Sequence, residues 1–369
     1  MNTDLQYHIA LTLISGVGSI TAKQLIAYCG SAEAALTAAP KDLLRIPDVG
    51  ATLAGAITST RHAALNRAKE ELEFMAKTGV QAFTFLDKGY PERLRNCEDS
   101  PLVLYAKGAT DLNAPKVVSI VGTRSATAYG RQQCENLVRD MAALYAPLVV
   151  SGLAFGVDVC AHRAALANGL PTVAVMGHGL DMVYPSQHAG VAREMQQQGG
   201  ALLSDFTSKC RMDPSNFVKR NRIVAGMADA TIVVESAEKG GALITAGMAF
   251  DYSRDVMAFP GRVGDKTSAG CLKLIKANKA ALIESAADVA YNLGWDIPKK
   301  QPVQQSLFLP ELSDDEKKLF ELLTPTEAQS IDVICRSSGL SMPKVSSALL
   351  NLEFSGLVKA LPGKMFQRT

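Results

Sequence analysis

Between residues 117 and 261, short apolar runs alternate with segments that have the apolar spacing of a helix. The runs are almost continuous, as in residues 172–176, which is typical of strands buried on both faces of a parallel sheet. We predict strands at residues 117–121, 147–151, 172–176, 201–205, 230–235, 255–259 and 281–283. Helices separate them, for example from Val157 to Ala167, with Gly169 as the C-terminal cap. Right-handed crossovers then predict an α/β fold with a Rossmann-like, doubly wound, mainly parallel sheet over residues 81–295.

The flanks of this sheet have different patterns. Residues 1–80 predict a helical domain of the helix-hairpin-helix or SAM-like kind, with two similar units. A glycine turn at residues 13–18 precedes a helix from Ser19 to Tyr28, and a turn at residues 44–50 precedes a helix from Ala51. The N–H groups of such a turn can bind a DNA phosphate in any sequence context. A tight turn between two helices, capped by glycine, explains the same pattern.

Residues 81–116 predict a connector with one short strand at residues 82–85. Residues 296–312 hold three prolines and little apolar pattern, and they predict a linker. Residues 313–369 predict a winged-helix domain that opens on a capping box of Ser313 and Glu316. Its third predicted helix, residues 343–353, is at the recognition position and carries Lys344 as its one basic residue, so this domain suits protein contact at least as well as DNA.

Composition limits the function classes. The 369 residues are 47% hydrophobic and 20% charged, with a net charge of +2, so any affinity for nucleic acid must come from a local patch. The seven cysteines are scattered and form no CxxC pair, which argues against a disulfide framework or a zinc site and favours a reducing compartment. We see no signal peptide and no apolar run of about 20 residues that would span a bilayer. We therefore expect a cytoplasmic protein without a metal, a cofactor or a membrane partner.

Glycine turns and cations follow the predicted strands. In a parallel sheet these turns gather along one edge, where backbone N–H groups and helix N-termini can hold phosphate. The candidate residues for such binding are Gly122, Arg124, Ser151, Gly152, Gly177 and Lys239. In this interpretation the Ser151 hydroxyl and the Gly152 N–H both donate to a phosphate. Lys239 begins a loop that leads into the N-terminus of a helix. Thr245 of this helix either donates its hydroxyl to the phosphate or caps the helix.

A basic run completes the candidate site. Phe217 directly precedes Lys219, Arg220 and Arg222. We predict that this run begins a helix, where cations oppose the macrodipole and are tolerated most readily beside a bound anion. Phe217 would stack a base, a contact worth about 1–3 kcal/mol that is indifferent to sequence.

The same stretch offers weaker signs of catalysis. Ser151 lacks the Gly-x-Ser-x-Gly surroundings of a nucleophile. Asp158 and His162, four residues apart, suit a structural or capping pair, an acid–base couple or half of a metal site. Glu235 beside a glycine loop suits a Rossmann-like enzyme that hydrolyses N-glycosidic bonds. A winged-helix regulator of duplex DNA is a further alternative.

The middle-domain motifs, taken in order, resemble the DNA-processing protein A family, also called Smf. The matching segments are residues 121–124, 151–158, 177–185, 220–223 and 239–246. The chain departs from the family pattern at Val218, Gly240 and Cys271, where proline, serine and asparagine are usual. None of these departures removes a positive charge.

The resemblance implies a function and a set of partners. It implies a protein of natural transformation that binds single-stranded DNA without sequence preference, shields incoming strands and helps to load a RecA-type recombinase. It also implies a homodimer built through the Rossmann-like domain, with no catalytic turnover. Arg124, the run from Lys219 to Arg222 and Lys239 fall on the family's positive pocket.

Overall fold

In the computed structural model, which describes residues 3–297, 312–325 and 327–368, the apolar runs form one nine-stranded sheet. Its strands are β1 Gln81–Thr84, β2 Val103–Gly108, β3 Val117–Val121, β4 Leu148–Ser151, β5 Thr172–Val175, β6 Ala201–Ser204, β7 Ala230–Val233, β8 Asp255–Ala258 and β9 Ala281–Leu282. The strand order is β1-β2-β6-β5-β4-β3-β7-β8-β9. The strands from β6 to β9 are parallel, and β1 and β2 extend the sheet in antiparallel register. The predicted doubly wound sheet is confirmed, and the predicted connector supplies two of its strands.

Helices cover both faces of this sheet. They are α1 Thr3–Thr12, α2 Ser19–Cys29, α3 Ala32–Thr37, α4 Pro40–Leu43, α5 Ala51–Thr78, α6 Glu92–Arg95, α7 Ala128–Leu144, α8 Val157–Ala167, α9 Ala189–Gln197, α10 Pro214–Gly226, α11 Gly241–Asp251, α12 Ala269–Lys276 and α13 Ala286–Leu293. Side chains alternate between the faces: Val118 and Ile120 pack with α7, α8 and α13. Val117 and Val121 pack on the opposite face with α10, α11 and α12.

The N-terminal helices continue the core of the sheet. Buried residues of α1 to α5 share one cluster with α9 and with side chains of β2, β5 and β6. The helices α2 and α5 begin at the predicted residues, Ser19 and Ala51. The predicted boundary near residue 80 is therefore a change of secondary structure within one compact unit, residues 1–298.

A polar network fixes these helices to the loop that leads into α10. Glu71 of α5 is buried and accepts hydrogen bonds from Ser208, at 2.9 Å from the backbone N–H and 2.6 Å from the hydroxyl. Arg67 pairs with Glu71 at 2.8 Å and also donates to the Ser208 carbonyl. The helical region thus helps to position the loop between β6 and α10.

The second unit, residues 299–369, has a winged-helix arrangement in its described part. Its elements are α14 Asp314–Leu322, β10 Gln329–Ser330, α15 Ile331–Ser338, α16 Met342–Phe354, β11 Val358–Leu361 and β12 Met365–Arg368, with strand order β10-β12-β11. The predicted capping box is present at α14. Most of the predicted linker, residues 296–312, lies outside the described residues. Across the part of the chain that is described, no helix is both long and apolar enough to cross a bilayer.

Candidate nucleic-acid interface

A cavity of about 330 Å³ opens at the carboxyl edge of the sheet. It lies where the chain, having built β4, β5 and β6 on one side of β3, crosses through α10 to β7 on the other side. Ligands of open α/β sheets bind at this kind of topological switch point. The cavity is lined by the turns after β3, β4 and β7 and by the first residues of α11, with α10 as a wall.

Two exposed cations lie on the turns that follow the neighbouring strands β3 and β7. Arg124 follows β3, and Lys239 lies in the turn between β7 and α11. Neither side chain forms a hydrogen bond or ion pair with another residue of the described structure. The turn that carries Arg124 is fixed by the Thr123 N–H, which donates to the Glu235 carbonyl at 2.7 Å. The fold thus brings together two predicted cations with free donors.

Gly122 allows this turn to pack closely. A Cβ atom at Gly122 would lie 2.4 Å from Val157 Cγ2, at the start of α8. Gly122 therefore lets the turn after β3 approach α8, which places Arg124 at the cavity. This predicted site residue lines the cavity through its backbone.

Arg220 forms the cationic floor of the cavity. Its side chain is 5% exposed and donates through Nη1 to the Val175 carbonyl. Burial lowers the pKa of Arg220, and the charge of Asp158 opposes that shift. Burial likewise raises the pKa of Asp158, and Arg220 opposes it. Since a guanidinium does not lose its proton in proteins, Arg220 carries a fixed positive charge beside a carboxyl group.

Ser151 and Gly152 do not present their donors to the cavity. The buried Ser151 hydroxyl donates to the Ile120 carbonyl at 2.6 Å, and the Gly152 N–H donates to Asp158 Oδ2 at 3.2 Å. The expectation that both groups donate to phosphate therefore needs correction, because these bonds organise the turn itself. Gly152 instead leaves room for the Arg220 guanidinium, because a Cβ at this position would lie 1.9 Å from Arg220 Nη1.

Phe217 lines the cavity and packs against the ring of Tyr184 and the backbone of Gly177. Its ring centroid lies 5.8 Å from that of Tyr184, which is exposed. A Cβ at Gly177 would come within 2.9 Å of the Phe217 ring. Gly177 therefore lies directly against Phe217 and leaves room for its ring. Phe217 itself is only partly buried.

The three cations of the basic run lie on different faces of α10, and only Arg220 lines the cavity. Helix α10 begins at Pro214, with Asp213 as its cap, so the prediction that the run begins the helix was wrong. Residues 217, 220, 221 and 224 have the spacing i, i+3, i+4 and i+7, and they line the cavity. Lys219 points to solvent from another face of the helix. Arg222 pairs with Asp205 at 2.5 Å and also lies outside the lining.

The groups considered for catalysis have structural partners. His162 is buried with Nδ1 2.7 Å from the Thr172 hydroxyl, and burial lowers its pKa to about 3. The Glu235 carboxylate accepts from the N–H and the hydroxyl of Thr127, which caps α7. Within the described residues, no group of three or more His, Cys, Asp or Glu side chains could hold a metal ion.

Asn221, which lies between the two arginines of the basic run and has no role assigned from the sequence, also lines the cavity. The turn at Ser236 and Ala237 also lines the cavity and was not singled out. The start of α10 at Pro214 predicts that Asn221 lies on the cavity face, because residues four apart, such as Phe217 and Asn221, share one face of a helix.

Comparison with known proteins places the chain in a family. A family model described as DNA recombination-mediator protein A matches residues 81–294, more than half of the chain, and a DprA winged helix domain model matches residues 304–364. The chain belongs to the DNA recombination-mediator protein A family. The resemblance stated from the motifs is therefore confirmed, and the cavity lies wholly within the matched family region.

Relatives of this family cover most of the chain. The putative DNA processing protein DprA of Mycobacterium tuberculosis is 35% identical over 358 residues, covering 92% of this chain and 88% of the relative. The structure of DNA processing protein A from Streptococcus pneumoniae is 30% identical with a TM-score of 0.63, covering 78% of this chain and 97% of the other.

A third similar protein has a solved structure whose description concerns DNA binding. The structure from Helicobacter pylori, described as showing a single-stranded DNA binding mode of DNA processing protein A, is 28% identical with a TM-score of 0.52. It covers 58% of this chain and 95% of the other.

Proposed function

We propose that this protein binds single-stranded DNA without sequence preference, through the cavity at the carboxyl edge of its sheet. The observation that carries the proposal is the pair of cations, Arg124 and Lys239, which have no partner among the described residues and lie on neighbouring turns of one cavity with Arg220 at its floor. Cations facing one recess attract a sugar–phosphate chain through a term that carries no sequence information. The single-strand binding described for the Helicobacter pylori relative supports the same function here.

The aromatic side chain favours a single strand over a duplex. Phe217 is partly accessible in the cavity wall, and its ring can stack on a base that has left its pair. Stacking of this kind adds about 1–3 kcal/mol per base and tolerates every base. Lys219, on the same helix and exposed, extends positive charge beyond the cavity toward a neighbouring phosphate.

The charge of the helix at the recognition position does not favour duplex binding. Lys344 is the one basic residue in the sequence of α16, the helix at the recognition position, and its Nζ lies 3.7 Å from Asp315. Removal of residues 297–369 is therefore expected to leave most single-strand affinity in place. A large loss on this deletion would favour the duplex regulator.

The direct test is fluorescence polarisation with a labelled oligothymidylate, with unlabelled single-stranded and duplex oligonucleotides of equal length as competitors. We expect the single strand to compete at much lower concentration than the duplex, and oligonucleotides of different sequence to compete alike. Equal competition by the duplex would contradict the proposal. Incubation with nucleoside monophosphates, followed by chromatography for free base, tests the N-glycosidic hydrolase alternative.

Membership of the family further supports a role in natural transformation, in which the protein protects incoming strands and helps to load a RecA-type recombinase. Recombinase ATPase activity on strands coated with a single-strand-binding protein should rise when this protein is added. The variant Arg124→Ala/Lys239→Ala should fail to produce that rise.

Nuclease protection of the same strands tests the shielding role. Light scattering tests the proposed homodimer, for which a monomer mass at micromolar concentration would be contrary evidence.

A further inference from the structure

Three aromatic side chains lie in adjacent segments at the cavity: Phe155 in the turn after β4, Tyr184 in the loop after β5, and Phe217 on α10. We call these three residues the aromatic platform. Tyr184 is 48% exposed and Phe155 is 44% exposed. The strands β4 and β5 are neighbours, about 4.8 Å apart, so their C-terminal loops lie side by side. Single exposed aromatic residues are ordinary, whereas a group of them at one cavity marks a binding surface.

Tyr184 extends the cavity wall that Phe217 forms. The centroids of the two rings are 5.8 Å apart, and their planes are tilted by 50°. A base inserted between two rings needs parallel planes roughly 7 Å apart, because each stacked contact takes about 3.5 Å. The pair is too close and too tilted for insertion. A base would therefore stack on the exposed side of Tyr184, outside the pair.

A buried histidine fixes the backbone of Tyr184. His178 Nδ1 lies 2.8 Å from the Gly179 carbonyl, and His178 Nε2 lies 3.2 Å from the Tyr184 N–H. Since a carbonyl only accepts and an N–H only donates, His178 is the neutral tautomer with its proton on Nδ1. The loop after β5 thus presents Tyr184 from a fixed position.

A second buried histidine fixes Phe155. His188 Nδ1 donates to the Leu153 carbonyl at 2.7 Å, and the His188 and Phe155 rings form a T-shaped contact with centroids 4.8 Å apart. Leu153 has a φ of 56°, in the left-handed region that leucine seldom adopts. Strained backbone of this kind persists where the surroundings hold it, and it is concentrated at ligand sites. Gly152 and Ala154 of this same turn line the cavity.

The cations and the exposed rings are ordered along the carboxyl edge of the sheet. In the strand order β5-β4-β3-β7, Tyr184 and Phe155 follow the first two strands, and Arg124 and Lys239 follow the last two. A single strand of DNA carries the two matching chemistries, charged phosphates and flat bases that stack on an aromatic face whatever their identity. In a duplex the bases are already paired and stacked, so this surface favours the single strand.

We propose that Tyr184 and Phe155 stack bases of the strand whose phosphates occupy the cavity. The strand then runs along the edge of the sheet, from the turn after β7 toward the loop after β5. The inference rests on the proposed single-strand binding and adds base-stacking positions beyond Phe217. Rings that are already held in place lose little conformational freedom on binding, so each contact contributes to affinity without selecting a sequence.

The test combines substitutions of Tyr184 with abasic oligonucleotides. Tyr184→Ala removes the ring, whereas Tyr184→Phe keeps the stacking face and removes only the hydroxyl. Tyr28→Ala is the matched control, because Tyr28 is 61% exposed on α2 and lines no part of the cavity. One abasic position is moved along the shortest oligothymidylate that keeps full affinity, and affinity is measured by fluorescence polarisation at each position.

We expect Tyr184→Ala to bind the intact strand about fivefold more weakly, which corresponds to about 1 kcal/mol and to the low end of the range for one stacked base. It should also stop responding to one abasic position at which the wild type, Tyr184→Phe and Tyr28→Ala each lose about fivefold. Its salt slope should equal that of the wild type, because stacking releases no counterions. Phe155→Ala should stop responding at a different position, and it provides the test if Tyr184→Ala fails to fold.

The outcomes separate this inference from the proposed function. If the wild type binds strands with a clear salt dependence but Tyr184→Ala and Phe155→Ala keep its affinity and abasic profile, base stacking by these residues is overturned while single-strand binding stands. An equal loss in Tyr28→Ala or in Tyr184→Phe would also overturn it, because the effect would then not come from the stacking face of Tyr184. If the wild type binds no strand, the proposed function fails and this inference fails with it.

Discussion

The two outer cations of the cavity allow a quantitative prediction. Arg124 and Lys239 are exposed and unpartnered in the described structure, whereas Arg220 is buried against the Val175 carbonyl beside Asp158. Replacing both outer residues by alanine should therefore remove two phosphate contacts and leave the folded core intact. The buried arginine is a poor target, because its loss would leave Asp158 buried without a cation.

The expected magnitude follows from counterion release. Each phosphate neutralised on a single strand contributes about 0.7 to the slope of log affinity against log salt, so Arg124→Ala/Lys239→Ala should make the slope shallower by about 1.4. Between about 50 and 200 mM salt, the ratio of wild-type to variant affinity should then change by about sevenfold. The variant should be weakest relative to the wild type at low salt.

The assay is fluorescence polarisation with one labelled oligothymidylate at four salt concentrations. Lys77→Ala/Lys107→Ala removes the same formal charge near the opposite edge of the sheet, where β2 ends beside the beginning of β6. This control should keep the wild-type slope. If the two double variants share one slope, then net charge governs binding, and the assignment of phosphate contacts to this cavity is refuted.

Three further predictions concern packing and protonation. Gly152→Ala should lower the free energy of unfolding by about 1–3 kcal/mol, measured in urea, because the new methyl group overlaps the Arg220 guanidinium; it should also weaken strand binding. Glu71→Gln should lower the free energy of unfolding by about 3 kcal/mol, measured in the same way, because Arg67 then stays partly buried without its carboxylate. Burial lowers the pKa of His162 from its ordinary 6.5 to about 3 in the folded state, so the folded state binds fewer protons between these pH values and stability falls as pH falls. His162→Gln should remove up to about 1.4 kcal/mol per pH unit of that dependence between about pH 6 and 4, measured by denaturation at each pH.

Much of the fold could be predicted because its strands are buried on both faces. Val117 to Val121 and Thr172 to Val175 are almost uniformly apolar, which only a covered parallel sheet requires. Strand β2 has a similar apolar run but follows a segment rich in turns, and it pairs antiparallel with β6, about 100 residues later in the chain. Local pattern carries no information about such a distant partner.

The candidate site was predicted less completely, because side-chain direction depends on helix register. Asp213 and Pro214 are an ordinary start signal, and together they place α10 five residues earlier than predicted. That shift separates Arg220, which faces the cavity, from Arg222, which pairs with Asp205. The partners of Ser151 and Gly152 likewise depend on tertiary contacts that the sequence does not specify.

The ion pair of Arg222 with Asp205 fixes α10 to the loop that follows β6. Residues 217, 220 and 221 of α10 line the cavity at the carboxyl edge of the sheet, whereas Arg222 lies outside its lining and holds the Asp205 carboxylate. A strand that displaced this pair would leave two charges partly buried, which costs more than the contacts it would gain. A bound strand is therefore expected to pass over Arg222 without breaking its ion pair. Arg222 then acts as a spacer beside the cavity, so Arg222→Ala should leave the salt slope of strand binding unchanged when affinity is measured by fluorescence polarisation at four salt concentrations.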